Sequence, residues 1–215
     1  MKVLLTNPIK VMVADPALFG NIQPIQLMYV ASYLEKQGHE VKIFDTVIEK
    51  SVKKFIKILK NFNPDVVGIG AVSSTLYSAW DTAELVKKHS DAKVVMGGDH
   101  VTFLPGETLY CCPYVDYIVR GEGEYTTADL LRSIAGKKKI EKVKGVSYRK
   151  GNKIVHNPPR PWIKNLDKLP HPAWHLHHRA VRATLPASRH PRIHGRWHMH
   201  TLRRTGPASG GRVRG

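Results

Sequence analysis

The sequence predicts an α/β fold, a parallel sheet of five strands with helices on both faces, and three observations carry that expectation. Across the first 135 residues, short β-branched runs alternate with longer amphipathic stretches, the pattern of parallel strands joined by crossover helices. Val66, Val67 and Ile69 form an almost unbroken apolar run, as a central strand covered on both sides must be. Proline, glycine and asparagine also fall where helices should begin or end.

Taken in order, the strands are Val3 to Thr6, Glu40 to Asp45, Asp65 to Ala71, Lys93 to Met96 and Val115 to Arg120. The first helix is marked by Pro24 in its opening turn, by Leu27, Val30, Ala31 and Leu34 at helical spacing, and by Gly38, which can take a left-handed conformation after the last turn. A second helix, Val52 to Phe62, puts Val52, Phe55, Ile56 and Leu59 on one face and stops at Asn63-Pro64. Its lysines occupy the other face and read as a solvated surface rather than a binding patch. Further helices are expected from about Tyr77 to His89 and from Thr126 to Ala135. Beyond Gly136, Gly145 to Tyr148 and Lys153 to His156 flank the turn signal Lys150-Gly151-Asn152, which predicts a β-hairpin appended to the sheet domain. Five prolines from Pro158 to Pro172 then mark an extended linker. The expected organisation is a sheet domain over 1–140, a hairpin over 141–160, a linker over 161–175 and an Arg- and His-rich, disordered tail over 176–215.

Length and composition fit one core, since the 215 residues are 42% hydrophobic. The formal charge of +17 invites a nucleic-acid reading, but its distribution weakens it. Nine arginines, no lysine and no acid lie between His171 and Gly215, while the other 25 basic residues share the rest of the chain with all 17 acids. Cys111 and Cys112 are neighbours, so they supply neither an ordinary disulfide nor a four-thiolate metal site, and a reducing cytoplasmic setting fits. No stretch approaches the roughly 20 apolar residues that span a bilayer, and Met1-Lys2 leads directly into a strand. No membrane association is expected.

In an open parallel sheet, ligands bind beyond the carboxyl ends of the strands. Those ends are distinctive here. Strand three runs into Gly70-Ala71-Val72-Ser73-Ser74-Thr75, strand four into Gly97-Gly98-Asp99-His100-Val101-Thr102, and strand five into Arg120-Gly121-Glu122-Gly123-Glu124. Glycine lets a ligand approach the backbone, and serine and threonine hydroxyls can bond a phosphate or a ring nitrogen. No GxxxxGK[ST] occurs, and strand one is followed by Asn7-Pro8 instead of a GxGxxG turn, which argues against an ATPase or a nicotinamide dehydrogenase. The GEGE element alone is weak, because glycine-rich turns after strands are common; the combination is far more specific.

A PDVVGI strand, a GGxHxT segment and an RGEGE segment, in this order and spacing, resemble the cobalamin-binding domain of cobalamin-dependent radical-SAM proteins. The resemblance covers about Met1 to Trp174 and includes Leu169-Pro170-His171-Pro172-Ala173-Trp174, similar to the LPxPAW segment that leads into the radical-SAM barrel. It implies a Rossmann-like domain with the nucleotide tail of cobalamin inserted among the strand ends and the corrin ring on top. Carried over, Ser73, Ser74 and Thr75 would line the tail pocket beside Gly70, while Gly97, Gly98, His100, Val101 and Thr102 would flank it. Gly121 and Glu122 would complete its far side. For His100 two roles stand side by side, direct ligand contact or a turn residue bonding its own loop.

Other cobalamin-binding domains carry a DxHxxG segment whose histidine replaces the base under the cobalt; here His100 follows Asp99 directly and no such segment exists. The resemblance therefore implies cobalamin with its base displaced and no histidine below the metal, that face being covered by the loop from about Ala14 to Gln23. A radical-SAM domain needs three thiolates, usually CxxxCxxC, to hold a [4Fe–4S] cluster that binds S-adenosylmethionine. No cysteine follows Cys112, so the chain as given is expected to hold cobalamin without cleaving S-adenosylmethionine, with a radical-SAM domain supplied elsewhere. All 21 lysines precede His171, and this change in usage reads as a frameshifted end. His190, His194 and His198 recur every fourth residue, but Pro186, Pro191 and Gly195 oppose a helix, so a metal site there is not expected.

Two functions are thus weighed. One is a cobalamin-binding module at the front of a methyltransferase, or of a ring-forming enzyme like the anaerobic magnesium-protoporphyrin ester cyclase. The other is a non-catalytic basic adaptor whose arginine-rich tail, with Trp197, binds nucleic-acid phosphates.

Overall fold

The computed structural model describes residues 1–9, 23–46, 48–49 and 51–176. The expected loop from Ala14 to Gln23, save its last residue, and the expected tail from His177 onward lie outside the described residues. Five parallel strands form the centre: β1 (Lys2–Thr6), β2 (Glu40–Phe44), β3 (Val66–Gly70), β4 (Lys93–Gly97) and β5 (Tyr117–Val119). The hairpin strands β6 (Val146–Lys150) and β7 (Lys153–His156) continue the same sheet, whose order is β2-β1-β3-β4-β5-β6-β7. β6 runs antiparallel to β5, with Tyr117 opposite Tyr148 and Val119 opposite Val146.

The α/β, Rossmann-like expectation holds, and the period-two alternation of each strand explains the two layers. Val67, Ile69, Val94 and Met96 point to one face, where they meet Phe55, Leu59 and Phe62 of α2 (Val52–Phe62) and Ala79, Ala83 and Val86 of α3 (Leu76–His89). Val3, Leu5, Val66, Val95 and Val119 point to the other, against Leu27, Ala31 and Leu34 of α1 (Ile25–Lys36) and Leu130 and Leu131 of α6 (Gly123–Ile134). Helix ends follow the punctuation in the sequence. Ser51 caps α2 by accepting the Lys54 N–H at 3.3 Å, and Asn63 closes it in the left-handed region at φ 47°.

Three features differ from expectation. Two short helices, α4 (Asp99–Phe103) and α5 (Pro105–Cys111), fill the stretch between β4 and β5; Pro105, with no N–H to lose, opens the second of them. Helix α6 begins at Gly123, three residues before Thr126, because the left-handed turn at Gly121 (φ 70°) leaves the chain free to coil at once. The proline-rich segment after β7 is not free. Asn157 donates to the carbonyls of Ile140 and Val143, Arg160 bonds Asp129 of α6, and the Ala173 N–H reaches the Met28 carbonyl of α1 at 3.1 Å. No described helix is long and apolar enough to cross a membrane.

Candidate functional site

The α1/α6 face of the sheet is short of side chains at its carboxyl end. Gly68 and Gly70 alternate on β3 and Gly97 ends β4, so this face carries hydrogen atoms where Leu5, Val95 and Val119 would otherwise have bulky neighbours. The result is a cleft of about 710 Å³ between the strand ends and the first turns of α1 and α6. Its size lies within the ~300–1,000 Å³ usual for small-molecule sites. The glycines are sterically required in places. A Cβ on Gly68 would lie 2.7 Å from Leu5 Cδ2, and one on Gly98, which also holds φ 110°, would lie 2.5 Å from the Ala71 carbonyl oxygen. At Gly97 the nearest atom to such a Cβ is the Val119 carbonyl oxygen at 3.8 Å, so a side chain there would project without backbone conflict.

Of the residues singled out from sequence, Gly70, Thr75, Gly97, Gly98, Gly121 and Glu122 come together as cleft lining. Ser73 and Ser74 are exposed on a short 3-10 turn above it. Val101 is fully buried in the core on the opposite face of the sheet. Thr102 braces the rim: its hydroxyl donates to the Gly98 carbonyl at 2.9 Å and accepts the Gly121 N–H at 3.0 Å, joining the ends of β4 and β5. His100 bonds across loops, its Nδ1 lying 3.1 Å from Ser73 Oγ, while its buried Nε2 meets no partner among the described residues. Glu122 accepts the Ile163 N–H at 2.6 Å, so this rim carboxylate is engaged by the segment after the hairpin.

Several lining residues were not foreseen. Gly68 looked like the interior of a buried strand, although its two-residue spacing from Gly70 was a readable sign of a bare face. Asn7, Gln26, Thr46 and Thr127 add polar groups from four different elements or loops. Glu124, named with the strand-five end in the sequence, falls outside the helix expected from Thr126 and is not marked by the sequence as a binding residue. It stands in the first turn of α6 and is half-buried. Burial pushes its carboxyl above the usual range, outweighing its own backbone N–H, and the nearby Glu122 charge pushes the same way. Among the described residues, the acids lining the cleft are Asp99, Glu122 and Glu124, and no lysine, arginine or histidine lines it. The described residues also contain no cluster of His, Cys, Asp and Glu able to hold a metal ion.

A glycine-floored cleft at the carboxyl edge of a parallel sheet, with hydroxyls and amides on its walls, fits a flat heterocycle on a sugar-phosphate arm. Residues 11–131 match the B12 binding domain. The chain belongs to this family. As a B12-binding domain, it is 38% identical over 178 residues to an uncharacterized methyltransferase of Pyrococcus horikoshii, an alignment covering 82% of this chain and 39% of that one. It is 33% identical over 165 residues to the anaerobic magnesium-protoporphyrin IX monomethyl ester cyclase of Rubrivivax gelatinosus, covering 72% of this chain and 29% of the relative. Among solved structures it matches the cobalamin-dependent S-adenosylmethionine radical enzyme OxsB, with aqua-cobalamin and S-adenosylmethionine bound, at a TM-score of 0.68 and 20% identity, over 84% of this chain and 25% of that chain. This B12-binding domain thus spans less than half the length of those relatives.

Proposed function

We propose that the chain holds cobalamin with its nucleotide base displaced from the cobalt and housed in the glycine-floored cleft, with no histidine beneath the metal. The observation that carries this reading is the bare face formed by Gly68, Gly70 and Gly97, which leaves room for a planar ring between the strand ends and α6. Gly98 lets the β4 end pass close to Ala71, and Thr102 locks that turn to Gly121. Thr75, Asn7 and Thr127 offer hydroxyl and amide groups to the arm. Asp99 is followed at once by His100, whose Nδ1 lies beside Ser73, so the sequence offers no DxHxxG imidazole to the cobalt. When bound, cobalamin supplies a cobalt that can carry a methyl group or an electron.

Because the relatives are more than twice as long as this chain, the reading extends to a front module of a radical-SAM enzyme, with methyl transfer or ring formation performed by the longer protein. This chain's own part is to bind and orient the corrinoid.

Absorbance spectra of the purified chain after incubation with cobalamin and gel filtration test the proposal. Retained corrin bands of the base-off form support it. Gly97→Leu should fill the cleft, leave the far-UV circular dichroism intact and abolish retention. No retention by wild type, accompanied by salt-sensitive RNA binding, would instead favour the basic-adaptor reading.

A further inference from the structure

The cleft is acidic in a chain whose formal charge is +17, and this contrast narrows what it recognises. Its three lining acids are not equivalent. Asp99 is exposed, and Glu122 is engaged by the Ile163 N–H at 2.6 Å. Glu124 is half-buried, projects from the first turn of α6 with Thr127 one turn behind it, and lies beside Gly123, which packs α6 against Val30 of α1. Facing it across the cleft is the apolar, glycine-floored surface of β3 and β4. A carboxyl in such surroundings is stabilised by sharing one proton with a ring nitrogen.

We propose that Glu124 is the residue that recognises the heterocyclic base entering the cleft, its carboxyl sharing a single proton with the base's uncoordinated ring nitrogen. This rests on the cobalamin reading above and goes beyond it by naming the group that selects the base. Displacing the benzimidazole from cobalt leaves one ring nitrogen without a partner. A buried acceptor of that kind needs a donor, and among the described lining residues Glu124 is the half-buried acid whose carboxyl no neighbouring residue engages. Protonated, the carboxyl can donate to the ring nitrogen; ionised, it can accept from a protonated base. The amides and hydroxyls of the cleft can also donate or accept, but they carry no charge to compensate a protonated base.

Affinities of the full chain for cobalamin and for cobinamide, which has the corrin ring but lacks the nucleotide base, separate this role from a general effect on the fold. Glu124→Met keeps length and helix propensity but removes the donor. It should weaken cobalamin binding about tenfold, the worth of one buried hydrogen bond, and leave cobinamide binding unchanged. Glu124→Gln, which still donates, should restore most of the preference. Should Met impair folding by circular dichroism, Glu124→Ala reads the same ratio. An unchanged cobalamin-to-cobinamide ratio in a folded variant without the donor, or an equal loss for both ligands, overturns the assignment to Glu124. Failure of wild type to retain either corrinoid overturns the cobalamin reading itself, which is a separate outcome.

Discussion

The carboxylate of Glu122 accepts the backbone N–H of Ile163 at 2.6 Å, tying the rim of the cleft to a segment forty-one residues further along the chain. The bond is charge-assisted and partly shielded from water, so it holds the segment more firmly than a surface contact would. Glu122→Ala should release it. Hydrogen exchange at Ile163 should accelerate by about tenfold, corresponding to a bond of ~1.5 kcal/mol, while amides of β3 and β4 stay protected. Unchanged protection at Ile163 would show that the packing of Ala173 against α1, and not this bond, fixes the segment.

Arg149 on β6 donates to the carbonyls of Leu109 and Pro113 at 2.7 Å, of Val115 at 2.6 Å and of Cys112 at 3.3 Å. These oxygens close α5 and the approach to β5, and the planar guanidinium reaches them from a single position. Arg149→Met strands them in a part-buried site and should cost about 2–4 kcal/mol in urea unfolding. Arg149→Lys should recover only a fraction, since one ammonium cannot serve the whole set. A loss below the resolution of the urea curve would mean water replaces the guanidinium.

Asp129 on α6 accepts from Arg160 at 2.5 Å and lies 3.0 Å from Lys138. Burial alone would raise its carboxyl, but the two cations outweigh it and hold the group below the ordinary carboxylate range. A depressed folded value means stability that is present above the unfolded value of about 3.9 and is lost as pH falls through the folded one. Asp129→Asn should therefore lower Tm at pH 7, and the gap to wild type should close as pH falls through the folded value, below the unfolded one. A gap that persists in acid would assign the effect to geometry instead of charge.

Glu124 titrates in the opposite sense. Its raised folded value gives a contribution fully present below the unfolded value of about 4.3 and lost as pH rises through the folded one. In the absence of ligand, Glu124→Gln should therefore melt higher than wild type at pH 7 and at the same temperature near pH 4. Equal melting at both pH values would show that solvent relieves the buried charge.

The parallel sheet was legible because it rests on local signals that tertiary packing does not override. β-branched runs, the apolar Val66-Val67 pair and Gly38, at φ 83°, all act within a few residues. Helices α4 and α5 escaped because five and seven residues give too little periodicity to register, and Pro105 reads as a breaker until it is seen opening a helix. At the site, glycines next to strand ends could be picked out by position, as Gly70, Gly97 and Gly98 were. Gly68 was legible only through its two-residue spacing from Gly70, and Glu124 was not, since its part depends on which turn of α6 it occupies. The bond from His100 to Ser73, and the route of the proline-rich segment over α1 and α6, join residues far apart in sequence and leave no local trace.

The bare face made by Gly68, Gly70 and Gly97 has a thermodynamic corollary. It withholds apolar atoms from the domain's interior at the point where α1 and α6 would otherwise close on the sheet, so an empty chain forgoes dispersion contacts that an incoming ring can supply. A corrinoid nucleotide would then serve as a detachable portion of the protein's own filling, and at a thousandfold excess over its dissociation constant it would add about 4 kcal/mol against unfolding. Proteolytic lifetime in a cell would accordingly track vitamin supply, with starved chains cleared sooner than loaded ones.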